Sequence, residues 1–414
     1  MRRSFLTRNR ARCTLDGMLV PSGRIRLVAA RLRGLRTSPR DAELAPMTVF
    51  YGPSGAGKTT MLGAIAFALT GHFPGVGQTA GDIGAIATSP TCFAEVQADA
   101  PDGEVFVRRG VADGKLFVEV REPRELEDGQ HYLHRWTKPT EARAAIGRRF
   151  GDVATMCAPV DLAQSVWTQS AELQKRWAFD LCAPHAGWTP ERLRAVLPPD
   201  FVLFADAPYE ALAAAIAQSC ERKRRLLQAA KEARLVAEHL RAAAPFTDEA
   251  VLLREAMHCT DSAAQANAEV LRLGESLATL CRVRDQILDD GAPALRRALA
   301  RLCAWAPRGS LWEVDGGLVG LRRRDGTFVG MDLMSDGERV RGIAACQVAS
   351  CAITSAPWRV LLLDNIEHVS TPERTALLAA LADLSRDGKL DNVLVAGALD
   401  APPAHGTSLL LEAP

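Results

Sequence analysis

Two short segments constrain this chain more than any others: GPSGAGKT at Gly52–Thr59 and VLLLD at Val360–Asp364. The first fits G-x-x-x-x-G-K-[ST], a loop whose backbone N–H groups curl around phosphate oxygens. The glycines permit the curl, Lys58 reaches the outer phosphates, and the Thr59 hydroxyl suits Mg²⁺. A match this short can arise by chance, so its flanks decide. Met47–Tyr51 before it is a short apolar, β-rich run, and Thr60–Thr70 after it is a proline-free helical pattern closed by Gly71. Strand, glycine loop and helix in that order place anionic phosphate at a helix N-terminus. Such a loop needs a carboxylate at the tip of a neighbouring apolar strand. Asp364 is the candidate, because VLLLD alone sets four consecutive large aliphatics before an acid. The two segments lie about 300 residues apart, so the fold is split and its halves meet across an insertion.

The insertion has its own pattern. Tyr209–Ala244 lacks Gly and Pro and carries a three-four spaced stripe that includes Leu212, Ile216, Leu226, Ala230, Ala237 and Leu240. APFTDE breaks it, and Thr247 or Asp248 caps a second long helix reaching about Asp290. The pair predicts an antiparallel helical hairpin about 50 Å long. The expected organisation is a basic tail at 1–24, the first half of a head at 25–205, the hairpin at 206–292 and the second half of the head at 293–414. Within the first half, Ile25–Leu32 reads as a strand, Asp41–Pro46 as a turn and Gly71–Ser89 as a surface loop. Cys92–Ala98, Val105–Val111 and Leu116–Val120, separated by Pro-Asp-Gly and Ala-Asp-Gly, predict an antiparallel meander. Glu141–Phe150 and Ala171–Leu181 read as helices. In the second half, strands are expected within Ser310–Leu321 and Thr327–Met331, at Trp358–Leu363 and, as the last core strand, Asn392–Val395. Helices are expected from about Gly337 and over Thr371–Leu384.

Composition adds exclusions. With 48% hydrophobic residues and a net charge of +1, the 414-residue chain can bury a sizeable core and has no global pull toward polyanions. Its ten cysteines include no C-x-x-C pair, so neither a zinc knuckle nor a redox pair is signalled, and a reduced, cytoplasmic setting is expected. No apolar run reaches membrane-spanning length, and no membrane partner is expected. The first thirteen residues carry five arginines without a following apolar core, which argues against a signal peptide; Met18 is an alternative start.

A third motif lies between the other two. In MDLMSDGERVR, Ser335, Asp336, Gly337 and Glu338 stand at the start of a helix and offer a hydroxyl and backbone N–H groups to a phosphate. The order GPSGAGKTT, helical hairpin, MSDGER, VLLLDN resembles the SMC and RecF group of ATP-binding-cassette ATPases. RLRGLRTS also looks like the motif that precedes the group's phosphate-loop strand. The resemblance implies an α/β fold: a split ABC-type ATPase head with an antiparallel β meander and an inserted antiparallel coiled coil. It implies ATP on Gly52, Pro53, Ser54, Gly55, Ala56, Gly57, Lys58, Thr59 and Thr60, with Arg36 facing the nucleotide. Thr59 and Asp364 would support Mg²⁺, and Ser335 to Glu338 would meet the ATP of a second copy in a head-to-head dimer. A glutamine after the meander, Gln164 in preference to Gln169, would touch Mg²⁺ or the attacking water.

Three departures qualify the resemblance. Asn365 stands where the group usually has a catalytic glutamate, and an amide cannot take a proton from water. Glu367 would substitute if the strand persists, and otherwise turnover would be slow. The group's late histidine is missing from VLVAGALD, and the hairpin is short and lacks zinc-hook cysteines. The leading expectation is an ATPase acting on DNA in repair, maintenance or anti-phage defence. Candidate DNA contacts are Arg222, Lys223, Arg224 and Arg225 and, in the second half, Arg322, Arg323 and Arg324. The alternatives are an ATP-gated regulatory subunit controlling a partner nuclease or toxin effector, and an ABC transporter ATPase subunit.

Overall fold

The computed structural model describes residues 25–36, 39–125, 131–151, 171–197, 208–243, 249–354 and 357–412. It divides into two compact units, one made of Met1–Trp177 with Pro293–Pro414, the other of Ala178–Ala292.

The first unit is built on a four-stranded parallel sheet. Its strands are β3 (Met47–Tyr51), β11 (Val360–Leu363), β12 (Asn392–Gly397) and β13 (Thr407–Leu410). They lie in the order β11-β12-β3-β13. Every residue of VLLL and NVLVAG is buried, which is why these strands read as unbroken apolar runs instead of alternating ones. Helix α1 (Lys58–Thr70) is apolar almost all round and buries eleven of its residues, Met61, Leu62, Ile65, Phe67 and Leu69 among them. One side meets β12; the other meets a second, antiparallel sheet. A helix covered on both sides has no polar face to show.

That second sheet contains β1 (Arg26–Arg33), β2 (Arg40–Glu43), β4 (Thr91–Ala100), β5 (Gly103–Ala112), β6 (Lys115–Glu125) and β7 (His131–Trp136). Its order is β2-β1-β4-β5-β6-β7, and β1, β4 and β5 are the strands that cover α1. The Asp-Gly turn between β5 and β6 takes positive φ at both residues, 50° at Asp113 and 70° at Gly114, the geometry that matches strand twist in a two-residue hairpin. The sheet is wider than the meander expected from sequence. The segment read as a turn at Asp41–Pro46 contributes to β2, which pairs antiparallel with β1. The segment read as a loop at Gly71–Ser89 contains α2 (Ala80–Ala85), held by a capping box at Thr79. Three carboxylates of the sheet are buried, and arginines hold each: Glu95 by Arg31 and Arg108, Glu119 by Arg121 and Arg135, Glu122 by Arg148 and Arg149. Burial alone would raise the Glu122 carboxyl, but hydrogen bonds from Arg149 and Trp136 outweigh it and hold the group below its ordinary value. Helix α3 (Pro139–Phe150) packs on β6 and β7.

The C-terminal part adds a small antiparallel sheet, β8 (Leu311–Asp315), β9 (Leu318–Arg322) and β10 (Phe328–Gly330). Helices α8 (Asp336–Ile353) and α9 (Thr371–Arg386) belong to the same part. Sequence reading ended the core at β12. In the structure β13 lies beyond it, parallel to β3, pairing Thr407 to Leu410 with Thr48 to Tyr51.

The second unit contains the end of α4 (Ala171–Cys182), then α5 (Pro190–Val196), α6 (Pro208–Ala243) and the greater part of α7 (Glu249–Ala300). α6 and α7 are antiparallel, since Arg222 pairs with Glu269 while Arg241 donates to Thr260 Oγ1 at 2.7 Å. α7 is ten residues longer than expected and keeps Pro293 inside it. Among the described residues no helix is long and apolar enough to cross a membrane.

One buried amide joins the two ends of the first unit. A bulge interrupts β1 between Leu27 and Ala29. The Leu27 N–H donates to Asn392 Oδ1 (2.7 Å), Asn392 Nδ2 donates to the Leu27 carbonyl (3.0 Å), and Trp358 Nε1 donates to Asn392 Oδ1 (3.2 Å). Replacing Asn392 by Ala strands three buried polar groups and should cost about 2–4 kcal/mol. Asn392→Asp should lose as much, because aspartate cannot donate to Leu27. Denaturant unfolding of both variants measures this, and an unchanged midpoint would refute the clamp.

Candidate functional site

The glycine loop begins where β3 ends. Gly52 has φ 134°, and a Cβ there would come within 2.3 Å of the Leu411 carbonyl oxygen. Only glycine fits so close to the chain just beyond β13. Gly55 (φ 81°) and Gly57 (φ 84°) continue the curl, and Gly57 is the N-cap of α1. No side chain caps that helix and no acidic residue stands in its first turn. Its leading N–H groups and positive dipole end are thus left for an anion. Lys58, almost fully buried, folds across the loop and donates to the carbonyls of Gly52 (3.0 Å) and Pro53 (2.6 Å). Ser54 and Gly55 are exposed, Ala56 and Thr60 are buried, and Thr59 is half-buried on the first turn of α1. These features fit a nucleotide triphosphate. They also fit Mg²⁺, which takes few protein ligands and completes its shell with phosphate and water.

Strand register brings the carboxylate to the same edge. Leu363 pairs with Val395, and Val395 with Val49. Asp364 thus stands just past the end of β11, level with the end of β3 and two strand spacings away, about 10 Å. It is 7% exposed, and its Oδ1 accepts from Asn365 N–H.

The strand ends at Leu363, as expected, so the condition under which Glu367 would follow along it is not met. β11 stops at Leu363, Asn365 takes a left-handed backbone (φ 59°, ψ 35°), and Ile366–His368 form one 3₁₀ turn. Asparagine is among the few non-glycine residues at ease there, so the backbone itself accounts for Asn365. The turn carries Glu367 back over the sheet. A Cβ on Gly397, the last residue of the middle strand β12, would lie 3.1 Å from Glu367 Oε2. Gly397 pairs with Tyr51, immediately before the loop. Glu367 Oε2 is buried and has no hydrogen-bond donor among the described residues, an arrangement that calls for an explanation.

Ser335 is the N-cap of α8 and forms a capping box: its N–H and Oγ donate to Glu338 Oε2 (3.0 and 2.9 Å). Ser335 and Asp336 remain exposed, and Asp336 also pairs with Arg339 at 3.0 Å. Gly337 is required for a reason that sequence did not reveal. A Cβ there would come within 2.6 Å of the His368 carbonyl oxygen, in the turn that holds Glu367. Further along α8, the buried Gln347 binds both backbone groups of Leu362, donating to its carbonyl (2.6 Å) and accepting its N–H (2.8 Å). Arg341, also buried, reaches Glu373 on α9 at 2.9 Å. α8 is therefore fixed to the Glu367 turn at its start and to the carboxylate strand past its middle.

Other expected residues fall elsewhere. Arg36 is exposed in a bend after β1, with φ 49°, its N–H donating to the Ile86 carbonyl. Gln164 and Gln169 lie outside the described residues. The expected basic clusters are largely neutralised: Arg222 pairs with Glu269, Arg224 and Arg225 with Glu221, and Arg322 with Glu313 and Asp315.

Residues 43–132 match a family model described as an AAA domain. No curated protein matches the chain in sequence. Among solved structures, the Smc head domain with an extended coiled coil, bound to the C-terminal domain of ScpA and derived from Pyrococcus furiosus, is 15% identical with a TM-score of 0.47. The match covers 91% of this chain and 90% of that one. The recombination mediator protein RecF is 9% identical with a TM-score of 0.46, covering 95% of this chain and 98% of that one. The SMC head domain from Thermotoga maritima is 11% identical with a TM-score of 0.34, covering 90% and 89%. The fold is α/β, and the AAA-type sequence lies around the glycine loop.

Lys58→Ala removes the loop's cation and should weaken ATP binding about 100-fold, the scale of a charge-assisted contact. Calorimetric titration measures it, and wild-type affinity in the variant would dismiss the loop as the phosphate site.

Proposed function

We propose that the chain binds and hydrolyses ATP, that ATP pairs two heads, and that the paired state acts on DNA in the cytoplasm. The observation that carries the hydrolytic part is the buried, undonated Glu367 Oε2 beside Gly397 and the carboxylate edge of the sheet. An oxygen so placed can accept a proton from an attacking water. Lys58 and the N–H groups that open α1 hold the outer phosphates. Mg²⁺, held through the Thr59 hydroxyl and Asp364, would supply charge neutralisation there. Asn365 shapes the turn and has no proton-accepting role.

Pairing rests on Ser335. Its exposure and place at the positive end of α8 suit it to a phosphate presented by a second copy. Because α8 is docked on the Glu367 turn through Gly337, a contact at Ser335 would bear on the position of the base in the same protomer.

Two outcomes test this reading. Glu367→Gln should slow phosphate release about 100-fold or more with ATP affinity retained, whereas Asn365→Glu should change the rate less than about threefold. It should also cost about 1 kcal/mol of stability from its left-handed backbone. The reverse pattern would make position 365 the catalytic one. Ser335→Arg should keep ATP binding but remain monomeric in sedimentation with ATP. Dimerisation equal to wild type would exclude α8 from the pairing surface.

A further inference from the structure

We propose that a cleft beside the start of α8 binds the phosphodiester backbone of duplex DNA through Arg308, Arg323 and Arg324. This rests on the reading of the chain as a DNA-directed ATPase and locates the contact. The cleft, about 690 Å³ and widely open, is formed by the turns at 307–310 and 323–325, with Glu338 on its wall.

Both turns are hydrogen-bonded: Ser310 N–H donates to the Pro307 carbonyl and Gly326 N–H to the Arg323 carbonyl, each at 3.0 Å. The second turn is further fixed by Arg322, which pairs with Glu313 and Asp315 and lies 5.3 Å over the Phe328 ring. Arg322 thus anchors the two arginines next to it in the chain.

Arg308, Arg323 and Arg324 are all exposed, and none makes a side-chain hydrogen bond or ion pair among the described residues. The two carboxylates in the lining are held by local hydrogen bonds but keep their charge, and Asp325 also lies in the field of Arg323. Asp325 accepts from Thr327 N–H at 2.9 Å, and Glu338 closes the capping box with Ser335. Elsewhere the arginines are mostly committed, to buried glutamates in the antiparallel sheet and to Glu221 and Glu269 on the hairpin. Three guanidinium groups against two carboxylates leave the concavity net positive, and guanidinium suits phosphate oxygens. The openness favours a polymer crossing the cleft over a small molecule enclosed by it, and nothing in the lining is arranged to read bases. Binding should be independent of sequence.

The test uses the full chain and a short fluorescent duplex, with anisotropy followed over a salt series. Arg308→Ala/Arg323→Ala/Arg324→Ala should bind about 10- to 100-fold more weakly, and its log K against log salt should be shallower by about 2–3. The corresponding triple Lys variant should retain most of the affinity. Arg222→Ala/Arg224→Ala/Arg225→Ala should stay within about threefold of wild type. Circular dichroism and ATP affinity, expected unchanged, show that the variants are folded. If the cleft variant binds like wild type with the same salt slope, the cleft is not the site, although DNA remains the partner. If wild type does not bind the duplex at low salt, both the cleft and the DNA reading fall.

Discussion

Among the described residues, the phosphate-loop strand has no partner strand before β12. Both hydrogen-bonding edges of β3 are filled from near the other end of the chain, by β12 on one side and β13 on the other. Burying Val49, Phe50, Val393, Leu394 and Val395 in this sheet supplies about 1.5–3 kcal/mol per side chain. Asn392 sets where the sheet meets the bulged β1, and the contact between Gly52 and Leu411 sets the mouth of the loop. The site therefore depends on a sheet assembled across the full sequence.

A second constraint is the attachment of α8. Three unlike contacts hold it: the Gln347 amide on the free edge of β11, Gly337 backbone against His368, and the Arg341–Glu373 ion pair. The amide serves as the missing neighbour of an edge strand, satisfying backbone groups that would otherwise be buried unpaired. Because these contacts run from the first turn of the helix to past its middle, α8 cannot shift along its axis without disturbing the strand of Asp364 or the turn of Glu367.

Much of this was legible in the sequence. β3, the loop and the C-cap at Gly71 came from strand, glycine and helix signals in direct succession. VLLL was legible because a strand buried on both faces must be continuously apolar. β13 was not: TSLL is short and half-exposed, with no periodicity to separate it from a loop. β2, with the sequence RDAE, is nearly all polar and is a strand only because β1 pairs with it. Glu367 could be named from the sequence as a candidate, but its place in a turn could not. Nothing local in DNIEH shows that Asn365 turns left-handed, and the next residue, Ile366, packs against Gly397, which lies on another strand. The hairpin arginines matched a basic-cluster pattern, yet their partners Glu221 and Glu269 lie one helical turn away or on the opposing helix. Arg308 lies alone in sequence and joins Arg323 and Arg324 only in space.

The placement of β12 and β13 also bears on how the protein is made. On a ribosome adding about 5–20 residues per second, β3 emerges tens of seconds before either strand that will flank it. Throughout that interval an apolar strand has both edges bare, the state most prone to join the wrong partner. The glycine loop is equally unfinished, because the wall at Leu411 does not yet exist. A nascent chain of this design cannot complete the surroundings of its glycine loop early. Quality control is thereby built into chain order, since a product cut short before β12 leaves both edges of β3 unpaired.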